Sequence, residues 1–197
     1  MSVDRLQEKI RKLKNPSLID LTIRPEEIPQ SLVEEEGNLC GAYSRFCGEL
    51  LEGLREIVPA VRFDFGAFAL QGAAGLDALE NALKAAKGCG YYVILDAPEA
   101  KSLQAAEYSA SVLLDPQCQW RFDALILSAY IGSDALRPYA DALAGSDKAF
   151  FAVLRTANRS APELQDLLTG SRLVHVAAAD VVNRLAEPRI EIGRAHV

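Results

Sequence analysis

Five short apolar runs punctuate the chain: SLIDLTI at 17–23, AVRFDF at 60–65, YYVILDA at 91–97, FDALILS at 122–128 and KAFFAVLRTA at 148–157. Between them lie stretches whose apolar residues recur at helical spacing. Strands that alternate with helices this regularly are parallel, because each return crossing needs a dozen or more residues and is made by the helix. The fold class is therefore α/β. Periodicity alone leaves two architectures open, a (β/α)8 barrel and an open doubly wound sheet, and 197 residues favour the open sheet.

The helical segments carry their own boundaries. Leu6, Ile10 and Leu13 share one face of a first helix that stops at KNPS, where Pro16 disfavours helical geometry at Asn15. SLIDLTI reads as a buried strand. RPEEIPQSLVEEEGN is a loop or short helix, and residues 39–58 repeat apolar side chains through Tyr43, Phe46, Leu50, Leu54 and Ile57. Gly72 and Gly75 are read as the turn before the helix LDALENALKAAKGCG, which Gly88 and Gly90 close. SLQAAEYSASVLL gives the next helix, followed by the turn DPQCQW. DALRPYADALAG is expected to restart at Pro138, and APELQDLLTG and RLVHVAAADVVNRLAE are expected to be helical.

Composition excludes several function classes. A net charge of −6, with Lys and Arg dispersed, argues against a nucleic-acid partner. No apolar run approaches the roughly 20 residues of a membrane span, and the charged N-terminus is unlike a signal peptide, so the expectation is a cytoplasmic chain. Cys40, Cys47, Cys89 and Cys118 form no C-x-x-C pair and are read as free thiols. His175 and His196 have no ligand-like neighbours, so no metal site is expected. Neither G-x-G-x-x-G nor G-x-x-x-x-G-K-[ST] follows any strand, which removes the usual nucleotide signatures.

Four segments in one order and spacing narrow the fold further. FFAVLRTANRSAPELQDL, DALILSAYIGSDALRPY, YYVILDAPEAKSLQAAEYSA and the N-terminal MSVDRLQEKIRKLKNPS resemble the bacterial orotidine 5'-phosphate decarboxylases of the longer, second type, over residues 1–185. The resemblance implies a (β/α)8 TIM barrel, represented here by about five βα units, with its site at the carboxy-terminal strand ends. It also implies a cofactor-free decarboxylase that converts orotidine monophosphate to uridine monophosphate and works as a homodimer. That reaction develops a vinyl carbanion at C6 of the pyrimidine, so a lysine must protonate it within a network of alternating charge.

At the site positions the sequence departs from the family. The D-x-K-x-x-D motif falls at Asp96, Pro98 and Lys101, so the proton donor is a proline and the last carboxylate is a lysine. The ribose-binding Asp falls at Thr22, and the network Lys of the second strand at Arg62, which keeps the charge without the compact ammonium. The Asn of the fourth-strand motif falls at Ser128, and the pyrimidine-contacting Ser at Ala157, between the matching Thr156 and Asn158. Gly132, Asp134, Gln165 and Asp166 also match. A register error would scramble such packing positions as readily as site positions, although a two-place slip would put Asp20 at the ribose.

Structural readings stand beside these. Asp96 at a strand end is expected to cap the next helix, and Arg62 and Asp64, two apart on one strand face, to form an ion pair. Glu99 and Lys101 read as a solvated loop, and Tyr91 and Tyr92 as strand packing.

The family's strands six to eight, with its phosphate-gripping loop, are expected beyond residue 185. EIGRAHV at 191–197, read as codons, matches a common sequencing adapter, so a partial barrel domain over 1–190 followed by a non-native tail is the expectation. A partial barrel leaves unpaired edges, which implies poor solubility or self-association. The leading functional expectation is a decarboxylase relative without the reaction. The alternatives are a regulatory or scaffold chain forming mixed dimers with an active homologue, and a remodelled phosphorylated-metabolite site using Asp20, Arg62, Asp64, Asp96 and Lys101.

Overall fold

The computed structural model describes residues 2–98, 100–144, 146–186 and 192–196. It divides into two compact units, one of Val3–Ala97 with Gln119–Asp123, the other mainly of Pro98–Cys118 and the residues from Ala124 onward.

In the first unit, α1 (Ser2–Leu13) precedes β1 (Leu18–Asp20), a 3-10 turn at Pro25–Glu27, α2 (Gln30–Glu36), α3 (Leu39–Leu54), β2 (Ala60–Asp64), α4 (Phe65–Ala69), α5 (Gly72–Gly88) and β3 (Tyr92–Asp96). The three strands are parallel in the order β1-β2-β3. β3 is apolar up to Asp96, β2 alternates buried apolar residues with Arg62 and Asp64, and Val61, Phe63, Val93 and Leu95 are fully buried. β1 departs from the expectation of a buried strand. It is three residues long, pairs with β2 alone among the described residues, and leaves Leu18 45% exposed, while Leu21 just beyond it is buried.

Tyr43 of α3 fixes the chain that leaves β1. Its hydroxyl donates to the carbonyl of Leu21 at 2.8 Å and accepts from the amide of Ile23 at 3.2 Å, and its ring meets Phe68 edge-on with centroids 4.9 Å apart. Burial raises its pKa. Asp123, 4% exposed, does similar work next to β3. It accepts from the amide of Val93 at 2.8 Å, from Lys87 at 2.8 and 2.9 Å, and from Arg5 at 3.1 Å, while its own amide donates to the Val93 carbonyl. A buried carboxylate is tolerated because it is saturated with donors.

Gly72 (φ +75) stands at the turn into α5 as expected, but Gly75 has a different role. Gly75 lies inside the helix, and a Cβ there would stand 2.1 Å from the carbonyl oxygen of Phe68. Its absence lets α5 pack on α4. At the other end, Gly90 (φ +83) completes a left-handed cap in which the amide of Tyr91 reaches the carbonyl of Ala86 and that of Gly90 reaches Lys87.

The second unit holds α6 (Leu103–Leu113), β4 (Ala124–Ser128), α7 (Ser133–Leu143), β5 (Ala149–Arg155), a 3-10 turn at Ala161–Glu163, the two-residue strands β6 (Leu168–Thr169) and β7 (Arg172–Leu173), α8 (Val174–Ala186) and β8 (Ile192–His196). β4 and β5 are parallel. Ala106, Ala110 and Leu113 line the buried face of α6, which packs against α7, itself buried through Leu136, Tyr139, Ala140 and Leu143. α7 does not restart at Pro138. The proline lies in its second turn and removes one hydrogen bond without dividing the helix.

APELQDLLTG is not helical beyond its 3-10 turn. The carbonyls of Gln165 and Leu167 are taken by the amides of His175 and Val174, and Gly170 (φ +66) turns the chain between antiparallel β6 and β7. Of the tail expected at 191–197, Glu191 and Val197 lie outside the described residues. Ile192–His196 run parallel to β5 in register Phe150↔Ile192 to Val153↔Ala195.

Candidate functional site

Strand register builds the charged cluster of the first unit. β1 pairs with β2 so that Asp20 lies opposite Arg62, and β2 pairs with β3 so that Asp64 lies opposite Asp96. With side chains alternating along a strand, Arg62 and Asp64 share one face. The guanidinium of Arg62 donates through Nη1 to Asp20 Oδ2 at 2.5 Å and through Nη2 to Asp96 Oδ2, with Asp64 Oδ2 at 3.8 Å. Thr22 donates its amide (3.0 Å) and hydroxyl (2.7 Å) to Asp20 Oδ1. The other oxygen of Asp64 accepts from the amide of Ala67 at 3.0 Å and so caps α4.

The electrostatics follow from burial and count. The Arg62 side chain is 13% exposed, and its Nε is buried with no hydrogen-bond partner. Burial works against its charge, but the hydrogen bonds and fields of Asp96 and Asp20 outweigh it and raise the pKa. Asp96 moves upward as well: burial favours its neutral form, and Arg62 offsets that only in part. Three carboxylates surround one cation. An arginine keeps its proton at any ordinary pH, so the cluster is a fixed electrostatic frame with no group suited to protonating a carbanion.

A second cluster stands at the end of β5. Gln165 accepts from the amide of Thr156 at 2.8 Å and donates to its hydroxyl at 2.9 Å, Thr156 donates to Asn158, and Asn158 donates to Ser160 at 2.9 Å. Arg155 grips Asp166 with two hydrogen bonds of 2.9 Å, which hold the Asp166 carboxyl below its ordinary value. Nδ1 of His175 lies 2.9 Å from the Gln165 carbonyl and 3.3 Å from Asp166 Oδ1. These side chains satisfy one another and hold the irregular chain between β5 and β6.

The expected site residues thus fall into two groups. Asp96, Arg62 and Thr22 come together with Asp20 and Asp64 in the first unit, whereas Ser128, Thr156 and Asn158 belong to the second. Ser128 ends β4, and its hydroxyl accepts from the amide of Tyr130 at 3.4 Å. Pro98 and Lys101 lie on the loop after β3, Pro98 half-buried and Lys101 exposed without an ion pair among the described residues, while Glu99 lies outside them. Asp96 does not cap the next helix. Ser102 does, accepting from the amide of Ala105 at 3.2 Å, because α6 starts at Leu103, well beyond the end of β3 at Asp96. The Arg62–Asp64 pair is present but is the longest of the three ion pairs of Arg62. Asp20 joins the cluster through Arg62, and the signal for it in the sequence is its position near the end of an apolar run, like that of Asp96.

Cys47 is buried, Cys40, Cys89 and Cys118 are partly so, and all four are free. Among the described residues no group of His, Cys, Asp and Glu could hold a metal ion, and no helix is long and apolar enough to cross a membrane.

Parallel strands alternating with helices, and a charged cluster at their carboxy-terminal ends, define a barrel-type α/β protein. No family model matches the chain. It is 25% identical to the orotidine 5'-phosphate decarboxylase of Rhodopirellula baltica over 197 residues, 95% of this chain and 65% of that protein. A putative orotidine 5'-phosphate decarboxylase from Streptomyces avermitilis superposes with a TM-score of 0.78 at 23% identity, covering 99% of this chain and 68% of the other. A putative orotidine-monophosphate decarboxylase from Toxoplasma gondii does so with a TM-score of 0.80 at 21% identity, covering 98% and 69%. The chain is a divergent relative of the orotidine 5'-phosphate decarboxylases. It spans less than two thirds of the length of the curated relatives it matches.

Proposed function

We propose that this chain has the ancestry of a pyrimidine-nucleotide decarboxylase without its chemistry, and that it does not decarboxylate orotidine monophosphate. One observation carries the reading: the only cation in the strand-end cluster, Arg62, is bound to Asp20 and Asp96, and the loop after β3 offers Pro98 where the resemblance puts a proton-donating lysine. Protonation of a carbanion at C6 needs an acid within hydrogen-bond reach of that carbon. An arginine does not release its proton, a proline side chain has none, and Lys101 stands three residues further on, where a carboxylate is expected. The cluster then serves as an electrostatic brace for β1, β2 and β3. The test is complementation: expression in a pyrimidine auxotroph lacking the decarboxylase should leave the strain dependent on uracil, and growth without uracil would overturn the proposal.

A further inference from the structure

We propose that a cleft at the amino-terminal ends of β2 and β3, opposite the Arg62 cluster, binds a phosphate group. The cleft has a volume of about 190 Å3 and is lined by Lys9 and Lys12 of α1, Arg55 and Glu56 of the α3–β2 connection, and Cys89 and Gly90 of the α5–β3 turn. Lys9, Lys12 and Arg55 line it against Glu56, with Glu52 beside Arg55, so cations still outnumber carboxylates there in a chain whose net charge is −6. Lys9 donates to the Gly90 carbonyl at 2.5 Å, which fixes an ammonium over the turn and occupies an oxygen that would repel an anion. Arg55 uses Nη1 on Glu52 at 3.0 Å, leaving other donors of its fork, and Glu52 also takes the Cys89 thiol at 3.4 Å. Lys12 is exposed and makes no ion pair among the described residues.

Converging cations repel unless an anion or solvent lies between them, and a guanidinium beside ammonium groups matches the oxygens of a phosphate. Size limits the ligand. At about 190 Å3 the cleft is below the roughly 300 Å3 at which drug-sized ligands begin, so it is sized for a phosphate group. The phosphate is either the free ion or the protruding terminus of a larger metabolite.

Cys89 supplies the readout. In the full chain carrying Cys40→Ser and Cys118→Ser, with Cys47 buried, Cys89 is the thiol open to iodoacetamide. At constant ionic strength, inorganic phosphate at about ten times its dissociation constant should slow alkylation roughly tenfold, because only empty protein reacts. Lys12→Ala with Arg55→Ala should abolish the protection. Equal protection by uridine monophosphate assigns the site to the phosphate of a larger molecule, and protection by inorganic phosphate alone assigns it to the free ion. An unprotected Cys89 overturns the proposal, as does protection that chloride reproduces. In the unsubstituted chain, phosphate should raise the thermal midpoint saturably at fixed ionic strength, and a flat response overturns the proposal even if the cysteine variant does not fold. Neither measurement depends on decarboxylation, so this site stands or falls apart from the proposed function.

Discussion

Arg62 on β2 reaches Asp96 on β3 through one guanidinium nitrogen and Asp20 on β1 through another, so that a single side chain joins the ends of three strands. Replacing it with methionine keeps the apolar stem and leaves three carboxylates facing one another. Breaking a buried ion pair costs about 3–5 kcal/mol, and the half-exposed Asp20 reduces that, so Arg62→Met should lose about 2–3 kcal/mol at neutral pH in urea unfolding. The loss should shrink as pH falls and the carboxylates protonate. A variant as stable as the parent at neutral pH would show that the bridge contributes nothing.

Asp96 makes a separate, signed contribution. Its folded pKa lies above the ordinary 3.8, because burial outweighs the help of Arg62. Between the unfolded and folded values the native state binds more protons than the unfolded one, so stability falls as pH rises through that window. Asp96→Asn should flatten this segment of the stability-pH curve just above pH 3.8. An unchanged slope there would place the titration elsewhere.

The apolar runs made the strand order legible because strands buried on both faces have to be apolar, and the cluster followed where charges ended those runs, as at Arg62, Asp64 and Asp96. Asp20 was harder to place. Its membership depends on the register of β1 against β2, and register is a property of pairing. Gly75 carried the wrong meaning for a similar reason: glycine signals both a turn and a close helix contact, and only the position of the Phe68 carbonyl separates them. ELQDL at 163–167 has helical composition, but Gln165 and Asp166 are drawn to Thr156 and Arg155, and tertiary partners decide the conformation.

Gly75→Ala should therefore cost about 2–4 kcal/mol in urea unfolding, since the added carbon meets backbone that cannot swing aside. Gly48→Ala is the control. It lies within α3 with no atom within 4 Å of the added carbon, and should be neutral or stabilising by up to about 1 kcal/mol. Equal effects at the two positions would contradict the close approach of α4 and α5.

Arg155 and Asp166 test the second cluster. Asp166 is held below 3.8 chiefly by its hydrogen bonds to Arg155. Its contribution to stability is present above the unfolded pKa and is lost as pH falls through the folded one. Arg155→Lys keeps a charge but not the two-pronged grip, so the Asp166 carboxyl should titrate closer to 3.8 by carbon-detected NMR. An unchanged titration would mean that the grip does not set it.

Pro98→Lys combined with Lys101→Asp rewrites the loop after β3 as D-x-K-x-x-D, the family's charge pattern. The expected result is still no decarboxylation, followed by the ultraviolet absorbance of orotidine monophosphate. The new amine would enter a cluster in which Arg62 already holds Asp96, and in which Thr22, bonded to Asp20, stands where the resemblance puts a ribose-binding carboxylate. An ammonium competing for Asp96 would also have to displace a guanidinium whose charge is stabilised by that carboxylate and by Asp20. Turnover by the double variant would locate the whole defect in two loop residues and remove the argument that the Arg62 bridge itself excludes the chemistry.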